Sequence, residues 1–399
     1  MFFSPIAASS YLLLTLLVTV AALPLMRFAL REVWATRSGK TVLLCALALP
    51  WLFWMAWRFG GRALSLLGNQ SAAASLPTMV MVLAALVFVS ACRLAARRLR
   101  RRAPSVPPAT IDVVPEASAA PSIGRRVFAA AAASAMPTMA LGGGVAGFAG
   151  KDEPVRVREV DVTIPHLPRE LDGLRILHLS DLHLGCTRDA DDLEEFLASL
   201  RQKPDLIALT GDIAERLEQL APALALLSQV RATHGAFACL GNHEHFYDLD
   251  RVRRTFDTSG VQLLDDQSQR LRLGHARLAV LGVDDPFAMG HLDARIVTLA
   301  ERERTADFRL LLSHRPRGFR AAAARNVDLT LSGHLHGGQV GAAKTSALDL
   351  APRDWFPWGL YTEGQSRLYT TSGFGEWYPF RLGCPAEGAL LTLRGSSST

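Results

Sequence analysis

From residue 155 to its C-terminal end the chain alternates short apolar runs with helical ones, and most apolar runs stop at a polar cluster. Runs at 174–180, 204–212, 236–243, 276–283, 308–313 and 327–332 have the length of buried strands and are bounded by turn residues. Between the first two, 190–203 places Leu193, Phe196, Leu197 and Leu200 at i, i+3, i+4 and i+7, the stripe of an amphipathic helix. A second helix is predicted over 214–230, interrupted near Pro222. Each strand-plus-helix step takes roughly thirty residues, the size of a βαβ unit. This part of the chain is therefore expected to be α/β, with its ligand crevice at the C-terminal strand ends.

Five of those strand ends carry side chains that can bind metal. "SDLHLG" supplies Asp181 and His183, "TGD" supplies Asp212, and "GNHE" supplies Asn242 and His243. "LLSHRP" supplies His314, and "SGHLHGGQ" supplies His334 and His336. On an extended backbone residues i and i+2 point to one side, so each D-x-H or H-x-H pair can aim at a single point. One Asp after a strand is commonly a turn former or a helix N-cap, and one His a satisfied polar residue. Five such ends in order exceed that account. Gly211, Gly241 and Gly333 are expected to let the backbone turn tightly beside them. His166, His178, His234, His245, His275 and His291 are read as ordinary polar residues, with His245 near enough to His243 to line the same pocket. Cys186 follows D-x-H-x-G and is assigned no chemistry.

Charge is unevenly distributed. The chain has 399 residues and a net charge of +6, but its first 150 residues hold fourteen Arg and Lys against three Asp and Glu. The motif-bearing part is thus net acidic, which disfavours nucleic acid as a partner. All eleven histidines lie in that acidic part. The five cysteines show no C-x-x-C spacing, so neither a disulfide framework nor a zinc knuckle is expected.

The first part reads as membrane-embedded. Apolar stretches at 11–26, 41–57 and 76–91 approach the length that spans a bilayer, although Pro24 and Arg27 cut the first short. Trp51, Trp54 and Trp57 fit an interfacial aromatic belt. Six arginines follow the third stretch in "RLAARRLRRRAP", and Arg27, Arg31, Arg37 and Lys40 lie between the first two. The positive-inside rule places both basic loops in the cytoplasm. Residues 1–102 are therefore expected to be a transmembrane helical region of about three spans. A Pro/Ala/Ser-rich flexible linker follows at 103–123. The next segment, 124–150, opens with Gly-Arg-Arg and resembles a twin-arginine export signal, or serves as a fourth span, with cleavage near Ala149 left open. Either of these readings delivers the domain at 151–399 to the far side of the membrane; if 124–150 is instead a soluble Ala-rich helix that does not cross, the domain stays cytoplasmic.

The ordered set D-x-H, GD, GNHE, H and GH-x-H resembles the calcineurin-like metallophosphoesterase superfamily over about 156–393. It is most similar to the membrane-associated bacterial members, whose usual ending resembles "GFGEWYPFRLGCPAEGALLTL". The resemblance implies an α/β fold, a double β-sheet sandwich flanked by helices, with two metals at one edge. It implies that Asp181, His183 and His336 bind one divalent cation and Asn242, His314 and His334 the other, with Asp212 shared. His243 would face the phosphoryl oxygens or protonate the leaving group. Imidazoles and carboxylates without thiolates suit Mn, Fe or Zn. Two such ions roughly 3.5–4 Å apart clamp the attacking and leaving oxygens of a displacement, and a water between them becomes the nucleophile. The expected protein is a multi-pass phosphoesterase of the bacterial inner membrane, with its catalytic domain on the periplasmic or extracellular side. It would cleave a phosphodiester or pyrophosphate bond in a phosphorylated small molecule or lipid. The alternative is a membrane sensor or accessory protein whose domain binds metal or ligand without turnover.

Overall fold

The computed structural model describes residues 152–285, 291–342, 345–350, 354–376 and 380–396, with scattered residues in 16–44 and 146–150. Most of the three apolar stretches, the linker and the 124–150 segment lie outside the described residues. Residues 19–25 are helical. Pro24 lies inside that helical run and does not end it; proline removes one backbone hydrogen bond and can kink a helix that continues. Among the described residues no helix is long and apolar enough to cross a membrane. The chain divides into two compact units, one of residues 3–146 and one of 147–399.

The second unit is built on strands β1 (Arg156–Ile164), β2 (Arg175–Leu179), β3 (Leu206–Thr210), β4 (Ala236–Cys239), β5 (Gln262–Leu263), β6 (Gln267–Leu273) and β7 (Ala276–Gly282). It continues with β8 (Phe308–Leu312), β9 (Leu329–Ser332), β10 (Gly341–Ala342), β11 (Thr345–Ser346), β12 (Gly359–Glu363), β13 (Ser366–Thr370) and β14 (Glu387–Gly395). Among the described residues they are connected by helices α1 (Ala190–Ser199), α2 (Leu220–Gln229), α3 (Leu249–Asp257), α4 (Leu292–Arg302) and α5 (Phe319–Ala323). Among the described residues twelve of these strands form two six-stranded sheets, ordered β1-β14-β2-β3-β4-β5 and β12-β13-β9-β8-β7-β6, and β10 and β11 pair antiparallel as a separate two-stranded sheet.

The apolar pattern dictates the layers. Strands such as β3 (LIALT) and β8 (FRLLL) are apolar on both faces, as strands covered on both sides must be. Between the sheets Ile176, Leu206, Ala208, Phe237, Val280, Phe308, Leu310, Leu331 and Leu391 form one continuous core. On the outer face of the first sheet Leu177, Leu209 and Ala238 meet Leu193, Phe196, Leu224 and Phe256 of α1–α3. On the outer face of the second, Ala279, Leu281 and Leu311 meet Ile296 and Leu299 of α4 and Ala322 of α5. The mixed α/β architecture with paired sheets and flanking helices agrees with the sequence expectation.

Pro222 does not interrupt its helix. It sits in the first turn of α2, where the missing N–H has no intrahelical partner to lose. α1 starts where it does because Asp189 accepts the N–H groups of Asp191 and Asp192 while Asp192 reaches back to Asp189. The strands β2, β3 and β4 run parallel in one sheet, as do β7, β8 and β9 in the other. Their C-terminal ends therefore gather at one edge of the sandwich.

Candidate metal centre

The loops at that edge are tied together by backbone hydrogen bonds. Asp181 N–H donates to Gly211 C=O, His183 N–H to Asp212 C=O, and Gly333 N–H to His314 C=O, each at 3.0 Å. Between the sheets, His314 Nδ1 donates to Thr210 C=O at 2.7 Å. At this edge Asp181, His183, Asp212, His334 and His336 all stand at positive φ, between 43° and 70°. A non-glycine residue pays roughly 1–2 kcal/mol for that conformation. Five strained residues at one edge mark a place where geometry is kept at a cost in stability.

The glycines serve two different needs. Gly211 adopts φ +78°, so its lack of a side chain relieves strain. Gly241 and Gly333 do not need positive φ, contrary to the tight-turn expectation. Instead, a Cβ on Gly241 would lie 2.2 Å from Asp212 Oδ1, and one on Gly333 2.0 Å from Asp181 Oδ2. Both are glycine because a carboxylate occupies the space.

Six of the seven predicted ligands, Asp181, His183, Asp212, His314, His334 and His336, meet at this edge in buried or half-buried positions. His336 Nε2 lies 3.1 Å from His183 Nε2 and 3.4 Å from Asp181 Oδ1. On the other side His314 Nε2 lies 3.1 Å from His334 Nδ1 and 3.2 Å from Asp212 Oδ2. The same Asp212 oxygen is 3.8 Å from His183 Nε2 and 3.8 Å from His243 Nε2. Asp181, His183 and His336 thus form one donor cluster and Asp212, His314 and His334 another, with Asp212 facing both. Asn242 is buried, and its side-chain oxygen has no hydrogen-bond partner.

Protonation states follow from the contacts. A carbonyl only accepts, so His314 carries its proton on Nδ1 and turns Nε2 toward Asp212. Burial pushes His314 down, but Asp212 and Asp181 outweigh it and raise its pKa to about 10. Asp212 is held well below the usual carboxylate range, against its burial, chiefly by His314 and His243. Burial raises Asp181. His334 is pushed down to about 3 by burial and by His314, and His336 well below its ordinary value by burial and His183. Neutral, lone-pair-bearing imidazoles crowded against carboxylates are a donor set for a divalent cation, and the absence of any thiolate suits Mn, Fe or Zn. The orphaned Asn242 oxygen fits the same use.

Sequence reasoning missed several supporting groups. Glu215 lies 2.6 Å from His183 Nδ1 and 2.5 Å from His243 Nδ1, and Tyr247 donates to its other oxygen at 2.6 Å. Its pKa is lowered because those two hydrogen bonds outweigh burial. A carboxylate there fixes the His183 tautomer so that Nε2 is free for a ligand. Glu244 accepts the N–H groups of Asp212, Ile213 and Gly241. Arg381, almost fully buried, pairs with Glu376 and donates to the carbonyls of Ser372, Gly373, Gly375 and Cys384. It thereby holds the loop whose Phe374 and Gly375 N–H groups bond Ser180 and Asp181 C=O. Glu244 was visible as the last letter of GNHE; Glu215 and Arg381 carry no spacing signal.

Of the remaining histidines, His245 Nε2 lies 2.7 Å from Asp284 Oδ1, beside the site. His178 is a core residue, 2.9 Å from Thr210 Oγ1 and pushed by burial down to about 3. His166, His275 and His291 are exposed.

A two-sheet sandwich carrying two His/Asp donor clusters along one strand edge defines an α/β protein with a candidate metal centre. Comparison with known proteins narrows the class. The family model described as calcineurin-like phosphoesterase matches residues 174–338. An uncharacterized metallophosphoesterase of Aquifex aeolicus is 30% identical over 257 residues, covering 61% of this chain and 94% of the relative. The chain belongs to the calcineurin-like phosphoesterase family. An uncharacterized metallophosphoesterase of Campylobacter jejuni is 30% identical over 244 residues, covering 60% of this chain and 63% of that one. The chain spans less than two thirds of the Campylobacter relative and of two Helicobacter pylori relatives, 64% of each. A bovine protein named "Transmembrane protein with metallophosphoesterase domain" is 29% identical, covering 63% of this chain and 60% of its own length. Among solved structures, the NAD nucleotidase of Haemophilus influenzae superposes with a TM-score of 0.37 at 16% identity, over 51% of this chain and 45% of that one.

Proposed function

We propose that this chain is a membrane-anchored two-metal phosphoesterase that hydrolyses a phosphodiester or pyrophosphate bond in a phosphorylated small molecule or lipid. The observation that supports it most is the placement of Asp212 Oδ2, 3.2 Å from His314 and 3.8 Å from His183, between two donor clusters. Asp181, His183 and His336 would hold one divalent cation, and Asn242, His314 and His334 the other, with Asp212 shared. When bound, the cations supply positive charge for the phosphoryl oxygens and favour loss of a proton from water.

The chain's own residues do the rest. Glu215 and the Thr210 carbonyl fix the ring orientation of His183 and His314. His243, with Nδ1 held by Glu215, turns Nε2 to the Asp212 side, where it can give a proton to the departing oxygen. The hydroxyl of water ends on phosphorus, and the P–O bond to the leaving group breaks. Membrane anchoring is supported by the three apolar stretches and by the bovine and zebrafish relatives named as transmembrane proteins. We place the catalytic domain on the periplasmic or extracellular face of an inner membrane, from the basic loops at its cytoplasmic side. The test is hydrolysis of bis(p-nitrophenyl) phosphate by the full chain in detergent, stripped and reloaded with Mn, Zn or Fe. Metal-restored turnover in the wild type and its loss in Asp212→Asn is expected. No turnover with any metal, in folded protein that still binds them, would leave the accessory, metal-binding reading in its place.

A further inference from the structure

Three large apolar side chains of the described second unit are exposed: Phe246, Trp355 and Leu360. A single exposed apolar residue needs no explanation by itself. Phe246 differs from the other two by its position. It is 47% exposed, and its ring packs edge-on against the His243 imidazole, with centroids 5.0 Å apart.

The turn that carries Phe246 is pinned on both sides. Glu244 accepts three backbone N–H groups from the Asp212 and Gly241 loops. His245 lies 2.7 Å from Asp284 Oδ1, which ties the turn to the end of β7 in the other sheet. Tyr247 donates to Glu215 at 2.6 Å. Phe246 N–H itself donates to His243 C=O at 2.9 Å. The neighbours on both sides of Phe246 are thus directed into the protein, while its own ring faces out beside the proton donor. A rigidly mounted aromatic ring loses little freedom when a ligand covers it, which makes it an efficient contact.

We propose that Phe246 is the platform for the leaving group, and that the substrate's leaving group is therefore flat or apolar where it joins the phosphorus. This rests on the phosphoesterase reading, in which His243 gives its proton to that leaving group. The group must then lie within reach of His243, and the surface beside His243 is the Phe246 ring. An aryl or heteroaromatic group would stack or pack edge-to-face on it. A small hydrophilic leaving group would gain nothing from it. Phe246 touches the leaving group and not the reacting oxygen, so it sets specificity rather than catalysis.

The experiment is isothermal titration of the metal-loaded full chain with phenylphosphonate and with methylphosphonate, in wild type, Phe246→Ala and Phe246→Trp. Both ligands present the same phosphoryl oxygens and differ only in what lies beside His243. Wild type should bind the phenyl compound roughly ten-fold more tightly, the order of a good aromatic contact plus its buried area. That ratio should collapse toward one in Phe246→Ala and survive in Phe246→Trp, with methylphosphonate affinity unchanged throughout. Equal affinity of wild type for the two ligands, or an unchanged ratio in Phe246→Ala, overturns the platform and leaves the phosphoesterase reading intact. Failure of the metal-loaded wild type to bind either ligand overturns the phosphoesterase reading itself.

Discussion

At the residue scale, the site is a set of imidazoles whose protonation is decided by carboxylates placed around them. His314 is raised to about 10 by Asp212 and Asp181, so near neutrality its Nε2 holds a proton where a cation would sit. Metal must displace that proton. Apparent metal affinity should therefore fall about ten-fold for each unit of pH below 10, for one displaced proton. Titration in two buffers of different ionisation enthalpy should show proton uptake by the buffer as metal binds; binding without proton release would contradict it. The sign for the metal-free protein is opposite. His314 and His243 have folded pKa values raised to about 10 and about 9 from 6.5. Their contribution to stability is complete below pH 6.5 and is lost as pH rises through 9 to 10. The melting temperature of stripped protein should drop over that window, while metal-loaded protein should not follow it. Glu215→Gln is expected to lower kcat/KM by about 10- to 100-fold, since it releases both His183 and His243, and to weaken metal binding as well. An effect on turnover alone would mean that only His243 depends on it. The seven proposed ligand positions stand out in the sequence because each follows an apolar run, at a strand end. Glu215 does not, because its partner His183 comes from the preceding βα unit, 32 residues away.

At the element scale, the strand ends matter more than the strands. Strands β2, β3, β4, β7, β8 and β9 were readable from their apolar runs, to within a few residues at each end. The edge strand β6 (QSQRLRL) was not, because it is half exposed and lacks a continuous apolar run. Nor was the insertion of β14, which runs antiparallel to β2 and parallel to β1 and so joins the two ends of the unit in one sheet. No local pattern encodes which strands become neighbours. Gly241 and Gly333 illustrate the same limit: their identity could be read, but the reason, a carboxylate in the space of a Cβ, could not. Gly333→Ala puts a methyl group 2.0 Å from Asp181 Oδ2. We expect it to cost about 1–3 kcal/mol of stability by overpacking and to weaken metal binding at the Asp181 cluster at least ten-fold. Chemical denaturation and metal titration check the two effects separately; a variant with unchanged metal affinity would show that Asp181 can move without consequence.

At the scale of the whole molecule, charge and function divide between the two parts of the chain. The first 150 residues are basic and apolar, while the rest is acidic and holds every histidine. On the proposed reading the full chain stays with membranes through a carbonate wash and is released only by detergent; recovery in the soluble fraction would contradict the anchor. The core of that reading is two-cation occupancy, with Asp212 shared at the strand-end edge of the sandwich. It is tested most directly by counting metal per chain in purified, reloaded protein by elemental mass spectrometry while following turnover of bis(p-nitrophenyl) phosphate. Two ions per wild-type chain are expected, with activity that rises with occupancy of the second, and fewer than two ions with little turnover in Asp212→Asn. Full activity at one ion per chain, or two ions bound and full turnover retained in Asp212→Asn, would contradict it.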